Sequence, residues 1–262
     1  MMIRKNETKR KLQAGETVFG VFVPMAAPRL VEMCGMAGFD YVVIDAEHGP
    51  IDVSECEHMV RAAELVEMTP IVRVPSHDPK VILRYLDVGA QGVMVPQVNS
   101  AAEAKGAVEA VKYAPMGKRG LGPGRAAAFG QEIPLSEYAG HANAETMIIA
   151  QLEHINALAQ LPEILAVEGI DAFELGLADL SQSMGFPGQG SRPEVQRAVD
   201  QFVSGVLQAG RIIGDTANTV EAASTLMKQG YKMIDCNVVG VAMGALKRLS
   251  AGMREGVVQG SS

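Results

Sequence analysis

Apolar, β-branched runs alternate along the whole chain with longer stretches in which apolar residues recur every three or four positions. The runs fall at residues 17–23, 41–48, 70–75, 92–98, 146–153, 172–176, 211–215 and 231–237. Most are continuous rather than alternating, the pattern of strands covered on both faces. Between them, residues 53–66, 79–88, 101–113, 158–167, 193–209 and 219–228 carry helical spacing. Gly38, Gly89, Gly210 and Gly230 each follow a helical pattern, where a left-handed C-cap favours glycine. Asp52 and Ser100 read as N-caps, and Pro79 and Pro193 as first-turn prolines. Eight strands alternating with helices in 262 residues predict an α/β fold, a single-domain (β/α)8 TIM barrel over residues 1–262. A doubly wound open sheet is the competing layout, but its glycine fingerprint is missing after residue 23. Residues 1–16 read as an N-terminal segment and 238–262 as a C-terminal helix and tail. The helix is expected over 239–249, with a tail from residue 252 too polar and glycine-rich to demand order.

Strand C-termini converge on one face of such a barrel, so residues distant in sequence meet there. The segments IDAEHG at 44–49, IVRVP at 71–75 and AQLE at 150–153 each end an apolar run in ionisable side chains. Charge is rarely buried unless paired or metal-bound, so these positions point to a ligand. The strand-end set is Asp45, Glu47, His48, Arg73, Gln97, Gln151, Glu153, Asp179 and Asp215. Glu153 and Asp179 stand 26 positions apart, close to one βα repeat, which places them at adjacent strand mouths. Two carboxylates suit a hard divalent cation such as Mg²⁺ or Mn²⁺, and a 2-oxo acid can chelate that ion. The plainer alternatives are a helix cap or ion pair for each carboxylate, an ion pair for Arg73 and a backbone hydrogen bond for His48. His58, His77 and His141 read as surface or packing residues, and His154 stands next to Glu153.

The chain is 48% hydrophobic and 20% charged with a net charge of -7, and no long basic block invites nucleic acid or an anionic membrane. No segment approaches the roughly 20 apolar residues of a membrane span, and the N-terminus does not resemble a secretory signal. Cys34, Cys56 and Cys236 lack disulfide or zinc spacing, so a cytoplasmic protein with mostly buried thiols is expected. No lysine ends a strand as a Schiff-base nucleophile should. One long interruption, residues 115–144, carries Lys118, Arg119 and Arg125 among glycines. It reads as an anion cradle, a mobile active-site loop or a plain connection.

Six ordered segments carry a resemblance: GFDYVVIDAEHGP at 38–50, PIVRVP at 70–75, LDVGAQGVMVPQV at 86–98, YAPMGKRGLG at 113–122, AQLE at 150–153 and GLADLSQSMGFPG at 176–188. Over nearly its whole length the chain resembles the HpcH/HpaI family of class II, metal-dependent pyruvate aldolases. The resemblance implies that Glu153 and Asp179 hold the divalent ion (Mg²⁺ or Mn²⁺, with Co²⁺ as a further choice). It implies that Arg73 binds the oxo-acid and steadies the enolate, that His48 shuttles the proton with Asp87, and that Gln151 orients the oxo-acid or a water. Amides of the Gly176–Leu177 turn would hold the pyruvate carboxylate. The implied reaction cleaves a 4-hydroxy-2-oxo acid to pyruvate and an aldehyde. The implied assembly is a homohexamer with exchanged C-terminal helices, in which residues 119–125 complete a neighbour's site. Family members commonly carry proline at the position of Leu177, so the pocket wall here differs. Acyl transfer from an acyl-CoA to a 2-oxo acid, as in citrate-forming relatives, and a non-catalytic oxo-acid-binding protein are the alternatives.

Overall fold

The computed structural model describes residues 4–259. Its eight strands are β1 (Val18–Val23), β2 (Tyr41–Asp45), β3 (Thr69–Arg73), β4 (Gly92–Val95), β5 (Met147–Leu152), β6 (Ala172–Leu175), β7 (Ile213–Thr216) and β8 (Met233–Asn237). All pair in parallel in sequence order and β8 returns to β1, which closes the barrel. This is the single α/β domain expected of eight buried, β-branched runs. Side chains alternate between two cores. Val43, Ile71, Met94 and Ile149 fill the barrel interior, whereas Val42, Ile44, Val72 and Val93 face outward into the helix layer.

The helices are α1 (Glu7–Gln13), α2 (Pro28–Met36), α3 (Val53–Leu65), α4 (Pro79–Asp87), α5 (Ala101–Val111), α6 (Leu135–Glu145), α7 (Ile155–Ala159), α8 (Leu161–Leu165), α9 (Leu177–Ser183), α10 (Pro193–Gln208), α11 (Val220–Lys228) and α12 (Val238–Gln259). Asp52 caps α3 in a reciprocal capping box with Glu55, and Ser100 caps α5. The single helix expected over 158–167 is two short ones, broken at Gln160, with Pro162 in the first turn of the second.

The N-terminal segment also forms structure. α1 plugs the barrel end where the strands begin: Leu12 joins the interior core, Thr8 Oγ1 donates to Thr69 Oγ1 at 2.8 Å, and Asn6 Nδ2 donates to the carbonyls of Gln91 and Glu145. The tail expected from residue 252 continues α12 instead, as far as Gln259; residues 260–262 lie outside the described residues. Cys34 and Cys56 are buried and Cys236 is half-buried.

Candidate active site

Arg73 ends β3 directly opposite Asp45, which ends β2. Its Nε and Nη2 donate to the two Asp45 oxygens at 2.9 and 2.7 Å, and its guanidinium lies 5.0 Å over the Phe22 ring. Glu47 Oε2 stands 3.3 Å from Nε, while Nη1 has no protein acceptor among the described residues. The Glu47 and His48 amides both donate to Asp45 Oδ1 at 3.2 Å, which folds the chain back after the strand. Both members of the pair are buried. Burial works to raise the Asp45 carboxyl, but the Arg73 hydrogen bonds and charge and the two amides outweigh it and hold it below its ordinary value. A paired, hydrogen-bonded ion pair of this kind fixes geometry more than it adds stability.

Glu153 follows β5 and is buried. The Gln97 amide donates to its Oε1 at 2.7 Å, and Gln97 holds a left-handed φ of 50° to do so. Oε2 is buried without any hydrogen-bond partner. Burial, relieved in part by that amide and reinforced by the nearby charges of Glu47 and Asp179, pushes Glu153 up to about 7. Burial raises Glu47 as well, against the opposing pull of Arg73. A Cβ on Gly176 would overlap Glu153 Oε2 and stand 3.0 Å from Gln151 Nε2, so glycine keeps a small cradle open beside the carboxylate. Asp179 enters this neighbourhood from the first turn of α9, and its charge reaches both Glu47 and Glu153.

No group of three His, Cys, Asp or Glu side chains converges among the described residues. Two carboxylates, one with an orphaned buried oxygen, fit an ion that takes its remaining ligands from water and a chelating substrate.

The turn supplies amides, though not the pair the resemblance implies. Gly176 N–H is already spent on the Leu152 carbonyl at 3.1 Å, whereas the Leu177 amide has no acceptor among the described residues. Leu177 therefore offers a donor that the proline implied by the resemblance would lack, while its side chain packs against Gly190.

His48 is exposed at the rim of this face. Asp87 is not beside it. Helices run back along the barrel, so the end of α4 lies where β4 begins, and there Asp87 pairs with Arg119 Nη2 at 2.7 Å. Residues 115–144 occupy that same end: Lys118 pairs with Glu109 and Arg125 with Glu64. Within one chain the cations of this segment bind carboxylates, so neither an anion cradle nor a loop over the strand mouths is formed.

Asp215 is also displaced from the site. It faces the helix layer among Asp200, Val203 and Tyr231, because it takes the outward position of β7. His154 caps α7, with Nδ1 accepting from the Asn156 amide at 3.1 Å, and His77 Nε2 meets the Pro96 carbonyl at 2.5 Å.

Two interior acids escaped the sequence reading, Glu174 on β6 and Asp235 on β8, both fully buried beneath the strand mouths. The available signal was a carboxylate at an inward position of an apolar strand, with glycines at 20 and 214 on neighbouring strands. Lys112 is a further buried charge, donating to the Asn143 and Thr146 carbonyls at 2.7 and 2.6 Å.

Residues 18–243 match the family model described as HpcH/HpaI aldolase/citrate lyase. A hydroxypyruvate/pyruvate aldolase of Pseudomonas aeruginosa is 35% identical over 91% of this chain and 87% of its own length. Among solved structures, an HpcH/HpaI aldolase/citrate lyase family protein from Burkholderia cenocepacia J2315 superposes with a TM-score of 0.89 at 29% identity, covering 96% of this chain and all of its own. The citrate synthase SbnG superposes with a TM-score of 0.84 at 30% identity, covering 97% of this chain and 98% of its own.

Proposed function

Because this chain belongs to the HpcH/HpaI aldolase/citrate lyase family and is an aldolase, a carbon–carbon lyase, we propose that it reversibly cleaves a 4-hydroxy-2-oxo acid to pyruvate, or a close analogue, and an aldehyde. Glu153 and Asp179 would hold a divalent ion, Mg²⁺ or Mn²⁺ by the hardness of the donors, with Co²⁺ also tolerated. The observation that carries this reading is Glu153 Oε2, buried and unpartnered beside the Gly176 cradle. When bound, the ion supplies Lewis acidity to the oxo-acid oxygens.

The chain's own residues do the rest. Arg73, already clamped by Asp45, presents Nη1 to the oxyanion that develops at C2, so little reorganisation accompanies the reaction. Leu177 N–H and the Gln151 carboxamide orient the oxo-acid. His48 at the rim exchanges a proton with the C4 hydroxyl as the C3–C4 bond breaks, and the pyruvate enolate then takes a proton at C3.

A second copy of the chain completes the arrangement. The apolar residues Val239, Met243, Leu246 and Leu249 of α12 are exposed, and α12 touches the barrel through β1 and β8. Beside them an apolar groove of about 440 Å³ lies along Phe19, Phe39, Val220 and Met227. Exchange of α12 between copies would cover both, and a homohexamer built this way would bring a neighbour's Asp87 to His48.

The likeness to SbnG favours a second reading, acyl transfer from an acyl-CoA to a 2-oxo acid. The test is solvent deuterium exchange into the pyruvate methyl group, followed by NMR on metal-stripped protein with and without Mg²⁺ or Mn²⁺. Exchange that requires the ion is expected. None with any divalent ion would overturn the aldolase reading, and a CoA-dependent product would establish the second.

A further inference from the structure

Below the proposed metal carboxylates, the barrel encloses a second pair of acids. Glu174 and Asp235 both point inward, on strands separated by β7. The backbone makes room for them: a Cβ on Gly214 would overlap Glu174 Oε2, and a Cβ on Gly20, the register partner of Asp235, would overlap the Tyr41 ring. Asp235 is built as an acceptor. Thr216 Oγ1 donates to its Oδ1 at 2.8 Å and Tyr41 Oη to its Oδ2 at 3.3 Å. Glu174 Oε2 is buried with no donor at all.

The charged groups facing the pair are few. Arg73 from β3 acts on both acids, and Asp215 from β7 adds negative charge to both. Burial and mutual repulsion push Glu174 well above the ordinary carboxylate range, and burial with Asp215's charge carries Asp235 up to about 7 against the pull of its hydroxyl donors and Arg73. A carboxyl without donors, beside one that is well supplied with them, is the natural seat of a proton.

Gln151 of β5 is the register partner of Glu174, so both side chains enter the interior at one level of adjacent strands. Gln151 Oε1 is also buried without a partner. The two orphans are complementary only if Glu174 carries a hydrogen, since two bare oxygens repel.

We propose that Glu174 is a positioning residue: its protonated carboxyl, turned from the Gly214 side toward β5, donates to Gln151 Oε1 and directs the Gln151 Nε2 donor toward the Gly176–Glu153 cradle, while Asp235, fixed by Tyr41 and Thr216, keeps the proton on Glu174. The orientation of the oxo-acid by Gln151 rests on the aldolase reading; the acid pair itself does not. Loss of the proton would leave an anion that attracts Nε2, reversing the carboxamide and withdrawing the donor from the substrate.

Infrared spectroscopy of the metal-free protein without substrate tests the pair. A protonated-carboxyl C=O stretch is expected at neutral pH that disappears in Glu174→Gln. It should move to higher frequency in Gln151→Met, where its acceptor is gone, and vanish at lower pH in Asp235→Asn, where the repulsive partner is neutral. A band unaltered in Glu174→Gln, or unmoved in Gln151→Met, overturns the proposal. With pyruvate exchange as readout, Glu174→Gln keeps an N–H donor and should flatten the rise in KM expected of the wild type at the alkaline pH where Glu174 ionises. Glu174→Met should raise KM on the order of tenfold with kcat within about threefold, the scale of one buried hydrogen bond. An unchanged KM in Glu174→Met overturns the positioning role. Absence of exchange in the wild type counts against the aldolase reading alone, because the infrared bands need no turnover.

Discussion

Arg73 reaches Asp45 through two parallel hydrogen bonds, and a lysine cannot reproduce that fork. Arg73→Ala should therefore lower metal-dependent pyruvate exchange by a factor equivalent to about 2.7–4 kcal/mol, and Arg73→Lys should restore little of it; rates read by NMR decide both. Gly176→Ala is the complementary test, because its methyl would intrude on Glu153 Oε2. Isothermal titration with Mn²⁺ should show weakened binding in a protein whose circular dichroism is unchanged. Arg73 and Glu153 were legible in the sequence because charge at the end of an apolar run has few structural uses. Asp45 was legible as a site residue, but its task as the clamp on Arg73 emerges only from the β2–β3 register. Glu174 and Asp235 were not legible, since an acid inside a strand reads as inward only after the barrel's alternation is fixed.

Elements were read best where caps and glycines mark their ends, as in α3 with its Asp52–Glu55 box and α10 with Pro193 in its first turn. They were read worst where local spacing competes with a tertiary demand. α1 is too short to announce itself, and its stability comes from Asn6, Thr8 and Leu12 packing into the barrel end. On β7 a single position decides between site and scaffold, and Asp215 falls on the outer side. Burial raises it to about 6, above its unfolded value of 3.8. The folded chain then holds more protons than the unfolded one between those values, so stability falls as pH rises from about 4 to about 6 and the cost persists above. Asp215→Asn should thus raise stability by on the order of 1–2 kcal/mol at pH 8 and leave it unchanged at pH 4, measured by urea unfolding.

At the scale of the whole molecule, the barrel order was legible from eight strands in sequence, whereas the position of residues 115–144 was not. A loop between α5 and β5 must lie where strands begin, and its charges there face Glu109, Asp87 and Glu64. If a neighbour's Asp87 serves His48, inactive His48→Ala and Asp87→Ala proteins should regain activity when unfolded, mixed and refolded together. Sites that pair a wild-type His48 with a wild-type Asp87 would then form in a quarter of random combinations, and no recovery would remove Asp87 from the site. No helix among the described residues is long and apolar enough to cross a membrane. The upper interior sets one guanidinium, Arg73, amid Asp45, Glu47, Glu153, Glu174 and Asp235. Such an excess of anions would make the fold itself a sensor of the ion proposed for Glu153 and Asp179. Ionising Glu153 above about 7 would both strengthen capture of that ion and worsen the repulsion left on its withdrawal. Chelation should consequently depress the melting temperature more at pH 8 than at pH 5.5, so that calorimetry would register occupancy of the site with no substrate present.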